Sequence, residues 1–490
     1  MNASENTPMA AGLKIGWAQA DITPPRTVLV CGQFYARLSE AVLDPLTATA
    51  LALEAGGEQA VLVSCDLVGV PDSLRDAVRA RLGDAEALEA AKVVLFATHT
   101  HTGPQVKLPS WPVGISPQAV GVDLGVEIMD ADAYEAFAAE RIAGAVRAAW
   151  AARTPALAAY GHGWAVVSHN RRWVDTDGEA TMYGDTTTAT FSHIEGYTDH
   201  SVPVIATYDP SGRLTGLVVN VSCPSQCSEH EFAISADYWH ETRAELRRRL
   251  GDGLFILPQC AAAGDQSPRV IHARRADQRM RELTGRSERD MIARRIADAV
   301  EDVLPALAPT ADGSLPLAHH VETVGLPMNA LTAADADAAR AEAALCRAKY
   351  EAERARLDAD PALRAAPRWY APASAAYRMM RWHEMVAERF EAGAASAAQP
   401  VELHVIRLGE LVLATNPFEF YLDFGIRIKA RSPAVETLTV QLAGGGTYCP
   451  SGRSTAGGGY GSRAASNPVG PEGGRRLVER TLEVIQAMWT

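Results

Sequence analysis

Residues 98–104, Thr-His-Thr-His-Thr-Gly-Pro, constrain this chain more than any other stretch. They follow Val93–Ala97, an apolar run that predicts a buried strand, and the Gly-Pro pair predicts a sharp end. Alternate residues of an extended chain point to the same side, so we expect His99 and His101 to face one cavity. Imidazole is a metal ligand and a general base, and both roles are open for the pair. The alternative is a pair of hydrogen-bonded loop histidines.

Polar residues follow buried strands at three further places. Asp66, Cys223 and Ser267 each come just after an apolar run, and Ser267 lies in a tight Gly-Asp-Gln-Ser-Pro turn. Strands that alternate with helices and end in polar residues predict an α/β fold. If the neighbouring strands pair, the Asp66 carboxylate is placed to orient one of the histidines, whereas the alternative is a turn or cap residue.

We expect one catalytic domain over residues 12–490, with a helical insertion at 331–397. The segments 276–307 and 331–397 are rich in Ala, Glu and Arg and predict helices, the second set lying on the outside. Two roles are open for that insertion. It serves either as a lid or as a contact between copies in a homo-oligomer. Residues 402–415 predict a β-hairpin, and residues 474–489 predict a closing helix.

Composition excludes some classes of partner. The chain has 46 Lys and Arg against 59 Asp and Glu, a formal net charge of -13, which argues against binding to nucleic acid or to an anionic membrane. It contains no apolar run of about 18 residues that would predict a membrane span. The N-terminal residues lack a secretory signal pattern, and the seven cysteines are scattered and odd in number. These features predict a cytoplasmic protein with reduced thiols.

The order of several short motifs resembles the neutral/alkaline, non-lysosomal ceramidase family of zinc amidases, as a divergent member of bacterial type. The motifs span nearly the whole chain: Asp21-Ile-Thr-Pro with Asp44-Pro45, His-Thr-His-Thr-Gly-Pro, Asn170-Arg171, Gly-Asp-Gln-Ser-Pro, Asn-Pro-Phe-Glu, and a late pair of tyrosines. The resemblance implies a mixed-sheet α/β catalytic domain and amide hydrolysis with a zinc ion, Zn2+.

Individual site residues follow from the resemblance. It implies three zinc ligands, which are His99, Glu419 and Tyr448. It also implies four residues around the reacting bond: His101 beside the scissile bond, Tyr460 at the oxyanion, Ser267 as nucleophile or stabiliser, and Arg171 in contact with the substrate.

The chain departs from the family pattern at Cys223. The family has a second zinc-binding histidine before a proline, and this chain has Cys223-Pro224. A thiolate is a competent zinc ligand, so Cys223 is expected to complete a tetrahedral site. An added anionic ligand weakens the Lewis acidity of zinc, so a purely structural metal or a lost site is also open. The alternative for Cys223 is a buried apolar thiol.

The sequence therefore predicts a zinc-dependent hydrolase that cleaves an amide bond. The chain ends just after the tyrosine loop without the immunoglobulin-like domain of the ceramidases, which favours a small soluble amide or ester over a membrane sphingolipid. Two alternatives remain: a metal-free hydrolase or acyltransferase that uses Ser267 with His101 as base, and a non-catalytic binding protein on a ceramidase-like fold.

Overall fold

A computed structural model describes residues 12–83, 85, 87–107, 121–393, 398–463 and 466–490. In chain order the strands are β1 Lys14–Asp21, β2 Ala41–Val42, β3 Thr47–Ala55, β4 Glu58–Cys65, β5 Val93–Ala97, β6 Thr154–Pro155, β7 Leu157–Trp164, β8 His169–Asn170, β9 Arg172–Asp175, β10 Ala180–Met182, β11 Phe191–Ile194, β12 Ser201–Tyr208, β13 Leu214–Val221, β14 Ala233–Ile234, β15 Phe255–Cys260, β16 Gln266–Ser267, β17 Leu317–Pro327, β18 Ala398–Leu408, β19 Leu411–Thr415, β20 Glu419–Phe420, β21 Glu436–Val440 and β22 Tyr448–Cys449. The α-helices are α1 Asp72–Ala80, α2 Ala131–Ala151, α3 Tyr238–Leu250, α4 Arg274–Thr284, α5 Glu288–Leu307, α6 Ala333–Ala359, α7 Ala371–Glu391, α8 Leu422–Arg431, α9 Gly452–Gly457 and α10 Pro471–Ala487.

Three mixed sheets form the frame, in agreement with the predicted mixed-sheet α/β fold. Their strand orders are β5-β4-β3-β1-β6, β15-β13-β12-β7 and β17-β18-β19-β21. Each sheet contains one parallel pair among otherwise antiparallel strands: β4 with β5, β13 with β15, and β19 with β21. Parallel neighbours need a crossover, which α1, α3 and α8 provide.

The three sheets meet in a shared apolar core, and helices cover their other faces. Leu62 of the first sheet, Leu257 of the second and Leu413 of the third belong to one buried cluster. Ile142 of α2 and Ile296 of α5 lie in the separate clusters that cover the first and second sheets. This packing fixes the parallel pairs relative to one another, because each sheet is held on both faces.

The segment predicted as a helical insertion holds α6 and α7, which pack against each other. The end of that segment, residues 394–397, lies outside the described residues. The predicted hairpin is confirmed by the antiparallel pairing of β18 with β19 around Gly409. Within the described part of the chain, no helix is both long enough and apolar enough to cross a lipid bilayer.

The expectation that Asp66 orients a histidine is wrong. Its buried carboxylate accepts hydrogen bonds from both terminal nitrogens of Arg243, at 2.8 and 2.9 Å. It also accepts from the backbone N–H and the hydroxyl of Thr47, at 2.8 and 2.9 Å. Asp66 therefore joins α3 to the first sheet, and all of its described partners are structural.

Candidate active site

Two short ladders bring distant segments together where the parallel strands end. β16 pairs with β8, which sets Ser267 opposite His169 and places Arg171 beside the Gly-Asp-Gln-Ser-Pro turn. β20 pairs with β22, which sets Glu419 opposite Tyr448. The candidate residues therefore come from segments that are far apart in the chain and meet at one edge of the frame.

The two histidines face one cavity, as predicted, but a turn rather than strand alternation places them there. His99 follows β5 with a left-handed backbone, φ 64°, and the rings of His99 and His101 meet edge to face with centroids 4.9 Å apart. Gly32 permits this arrangement. A Cβ at Gly32 would lie 2.6 Å from the His101 ring, so a larger residue has no room there.

His99 is oriented by a backbone carbonyl. Its Nδ1–H donates to Val68 O at 2.7 Å, which leaves Nε2 facing Glu419 Oε2 at 3.3 Å. Burial opposes ionisation of Glu419, but His99 and Arg171 outweigh it and hold the pKa of this carboxyl below its ordinary value. Glu419 is therefore a partly buried carboxylate at neutral pH.

His101 is held by two residues from the segment after β13. The Gln226 side-chain oxygen accepts from Arg171 and Tyr183, at 3.3 and 3.2 Å, so its amide nitrogen is assigned as the donor to His101 Nε2 at 2.8 Å. His101 Nδ1 lies 3.5 Å from Glu229 Oε2. Burial lowers the pKa of His101, although Glu229 opposes that shift. The imidazole is therefore neutral, and can accept a proton, near pH 7.

Arg171 is a buried cation at the centre of the site, 3% exposed. Its guanidinium donates to Gly264 O at 2.8 Å, Tyr183 Oη at 3.1 Å and Tyr448 Oη at 3.3 Å, and it lies 3.9 Å from Glu419 Oε2. Burial opposes the charge, but the surrounding phenols and Glu419 raise the pKa of Arg171 well above its ordinary value. The guanidinium is permanently charged.

Two phenols complete the cavity. Tyr448 and Tyr460 meet edge to face with ring centroids 5.5 Å apart. Both line a cavity of about 70 Å³ together with His99, His101 and Glu419. Burial, followed by the nearby Glu419, raises the pKa of each phenol, so both keep their protons and can donate them in hydrogen bonds.

Ser267 is linked to His101 through Tyr183 and Gln226. Its Oγ forms a hydrogen bond with Tyr183 Oη at 3.2 Å and accepts from the backbone N–H of Arg269 at 3.1 Å. Among the described hydrogen bonds, none joins Ser267 directly to His101.

The structure does not bring Cys223 into this cluster. Its thiol donates to Val167 O at 3.2 Å and lies in the apolar core of the second sheet. Burial raises its pKa well above the ordinary value, so this group is a thiol rather than a thiolate. Cys223 therefore packs as a buried apolar thiol, which was the alternative to a zinc ligand.

The residues present do not fit the expected four-ligand zinc site. His99 and Glu419 have the required proximity, but the Tyr448 hydroxyl is occupied by a guanidinium, and the Cys223 thiol packs in the core. Across the ranges that the structure describes, no group of three or more His, Cys, Asp or Glu side chains is arranged to hold a metal ion. No step of the reaction is therefore assigned to a zinc ion.

Three residues of the site were not predicted from the sequence: Tyr183, Gln226 and Glu229. Gln226 and Glu229 share the segment that follows β13 with Cys223, so the rule that polar residues follow strands was sufficient to find them. Tyr183 lies in an irregular loop and gave no comparable signal. Tyr183 and Glu229 also line a second cavity of about 450 Å³. These two residues therefore border both the candidate site and this larger space.

Comparison with known proteins supports the fold. No protein-family model matches the sequence, and no curated protein matches it. The structure is similar to a solved ceramidase complexed with C2, at 15% identity, a TM-score of 0.66, and coverage of 98% of this chain and 75% of that one. It is equally similar to neutral ceramidase from Pseudomonas aeruginosa, at 16% identity, a TM-score of 0.66, and coverage of 98% and 74%. The ceramidase-like fold implied by the resemblance is confirmed.

Proposed function

We propose that this chain is a hydrolase that cleaves an amide bond in a small substrate at the cavity around His99, His101 and Glu419. The observation that carries this proposal is the convergence of a neutral imidazole, a partly buried carboxylate and two protonated phenols on one small cavity. A volume of about 70 Å³ admits a reacting carbonyl and a water, since a water takes about 30 Å³ of liquid. The ceramidases that share the fold support an amide as the bond cleaved.

The residues suggest a direct attack by water. His99 and Glu419 hold the water, and His101 removes a proton from it through Nε2, which exchanges its hydrogen bond from Gln226 for one from the water, as the water oxygen adds to the amide carbon. The oxyanion that forms accepts hydrogen bonds from Tyr448 and Tyr460, whose raised pKa values keep the phenolic protons in place. His101 then returns the proton to the leaving nitrogen as the C–N bond breaks, which gives a carboxylic acid and an amine.

A carboxylate-to-amide change at Glu419 tests the site. The turnover of short N-acyl amines is measured by the release of the free amine. Glu419→Gln is expected to lower kcat/KM about a hundredfold, because the site loses a negative charge and a group that positions the reactants. Glu436→Gln is the matched control. Glu436 pairs with His162 at 2.7 Å, at the amino end of β21, and its loss is expected to leave turnover unchanged.

The outcomes separate the remaining functions. Equal activity in Glu419→Gln and wild type would reject this cavity as the reaction centre. Saturable binding of the same amides without release of amine would favour the non-catalytic binding protein. A cytoplasmic location and a homo-oligomeric state stay predictions from the sequence.

Cys223→Ser tests the ligand role predicted for Cys223. The thiol is buried and contacts Val167 O, so the smaller, more polar hydroxyl is expected to lower the free energy of unfolding by about 1 kcal/mol. Turnover and metal content are expected to match wild type. Loss of bound zinc together with turnover in Cys223→Ser would restore Cys223 as a metal ligand.

A further inference from the structure

We propose that Arg171 takes the electrostatic place of a metal ion in this site, so that the folded chain supplies its own fixed cation and excludes zinc. The inference about zinc rests on the geometry of Arg171, Glu419, Tyr448 and Cys223. Its catalytic meaning rests on the proposed hydrolase function.

The guanidinium is hydrogen-bonded to one of the groups expected to bind zinc and lies close to a second. It donates to Tyr448 Oη at 3.3 Å and lies 3.9 Å from Glu419 Oε2. Hydrogen bonds to Gly264 O and to the Gln226 side-chain oxygen fix its orientation from the other side. A guanidinium held by acceptors on several sides has little freedom to withdraw.

The balance of buried charge also opposes zinc. Glu419 Oε2 lies 3.9 Å from the Arg171 guanidinium, so this carboxylate already has a cation beside it without a metal. A zinc ion between Glu419 and Tyr448 would add two positive charges close to a permanent cation in a poorly solvated place. No thiolate is placed to offset them, because Cys223 donates to Val167 O and packs in the apolar core of the second sheet.

Arg171 acts on the reaction through Tyr448. Because the guanidinium donates to the phenol oxygen, the phenol's own hydrogen serves as a donor on the cavity side, where Tyr448 lies beside Tyr460. The positive charge also counteracts the burial that raises the pKa of Tyr448, and so strengthens the phenol as a donor. Arg171 is therefore a positioning residue, and Tyr448 is the group that contacts the oxyanion.

Zinc uptake by the full-length protein tests the inference without any substrate. Wild type, Arg171→Met and Arg171→Lys are incubated with zinc sulfate, freed of excess ion and measured by elemental analysis and calorimetric titration. We expect no stoichiometric zinc in wild type or Arg171→Lys, which both keep the cation. We expect about one zinc per chain in Arg171→Met, where His99, Glu419 and Tyr448 are released as three protein ligands, a number typical of catalytic zinc sites.

The control is Arg171→Met combined with His99→Ala, which is expected to lose the acquired zinc. Arg171→Gln serves as a second neutral variant if circular dichroism shows that the methionine variant does not fold. About one zinc per chain in wild type, or no uptake by a folded neutral variant, would overturn the inference. These results do not depend on turnover, so a protein that cleaves no amide but shows this zinc pattern would contradict only the proposed function.

Discussion

His101→Asn is expected to lower kcat by about a thousandfold, because a positioned general base contributes about two to four powers of ten in rate. Gln226 and Glu229 contact the two ring nitrogens of His101. The ring also lines the cavity together with His99. Asparagine retains a polar side chain of similar reach but cannot accept a proton near neutral pH. Single-turnover release of amine from a short N-acyl substrate measures the loss, and circular dichroism checks the fold.

The pH profile gives an independent readout of the same residue. Burial lowers the pKa of His101, so the imidazole stays unprotonated, and active as a base, below its ordinary pKa of about 6.5. The acid limb of the rate profile is therefore expected below pH 6.5, with activity lost as pH falls through that limb. His162→Asn is the matched control, since this half-exposed histidine pairs with Glu436 away from the site. A rate in His101→Asn within a factor of three of wild type would reject a base role.

Arg243→Met is expected to lower the free energy of unfolding by about 3 to 5 kcal/mol, since breaking a buried ion pair leaves one charge without its partner. Asp66 is fully buried, and both guanidinium bonds reach its carboxylate at 2.9 Å or less. Thr47 would then be the remaining described donor to that carboxylate. Urea denaturation followed by tryptophan fluorescence measures the change.

A double variant separates the unpaired charge from lost packing. Asp66→Asn with Arg243→Met removes both charges and retains an oxygen that accepts from Thr47, so it is expected to recover about half of the lost stability. Arg26→Met, at a solvent-exposed ion pair with Glu127, is the control and is expected to have a far smaller effect. A double variant no more stable than Arg243→Met would contradict this account.

Local sequence patterns were sufficient to predict the main strands of the three sheets and part of the candidate site. Apolar runs followed by polar residues correctly placed β4, β5, β13 and β15, because each strand is buried and its apolar run stops where the strand ends. The pair His99 and His101 was found in the same way. The ladder between β20 and β22 has two residues on each side, and no periodicity in so short a segment predicts its partner.

The orientation of Cys223 was open to prediction from strand alternation. Val219, Val221 and Cys223 occupy alternate positions and all lie in the same apolar cluster. Continuing the alternation of β13 by one further step puts the thiol in the core, as observed. The resemblance pointed the other way, because it transferred the role of a histidine to a residue of different size and polarity. The contacts of Arg171 depend on four separate segments and had no local signal.

The left-handed backbone at His99 restricts how this position can change over evolutionary time. A side chain with a Cβ is disfavoured at φ 64°, where glycine, asparagine and aspartate are the residues best tolerated. Most single substitutions at residue 99 would therefore lose the imidazole and add backbone strain together. The backbone at Cys223 lies outside the left-handed region, so the limits at that position come from its fully buried side chain rather than from backbone strain.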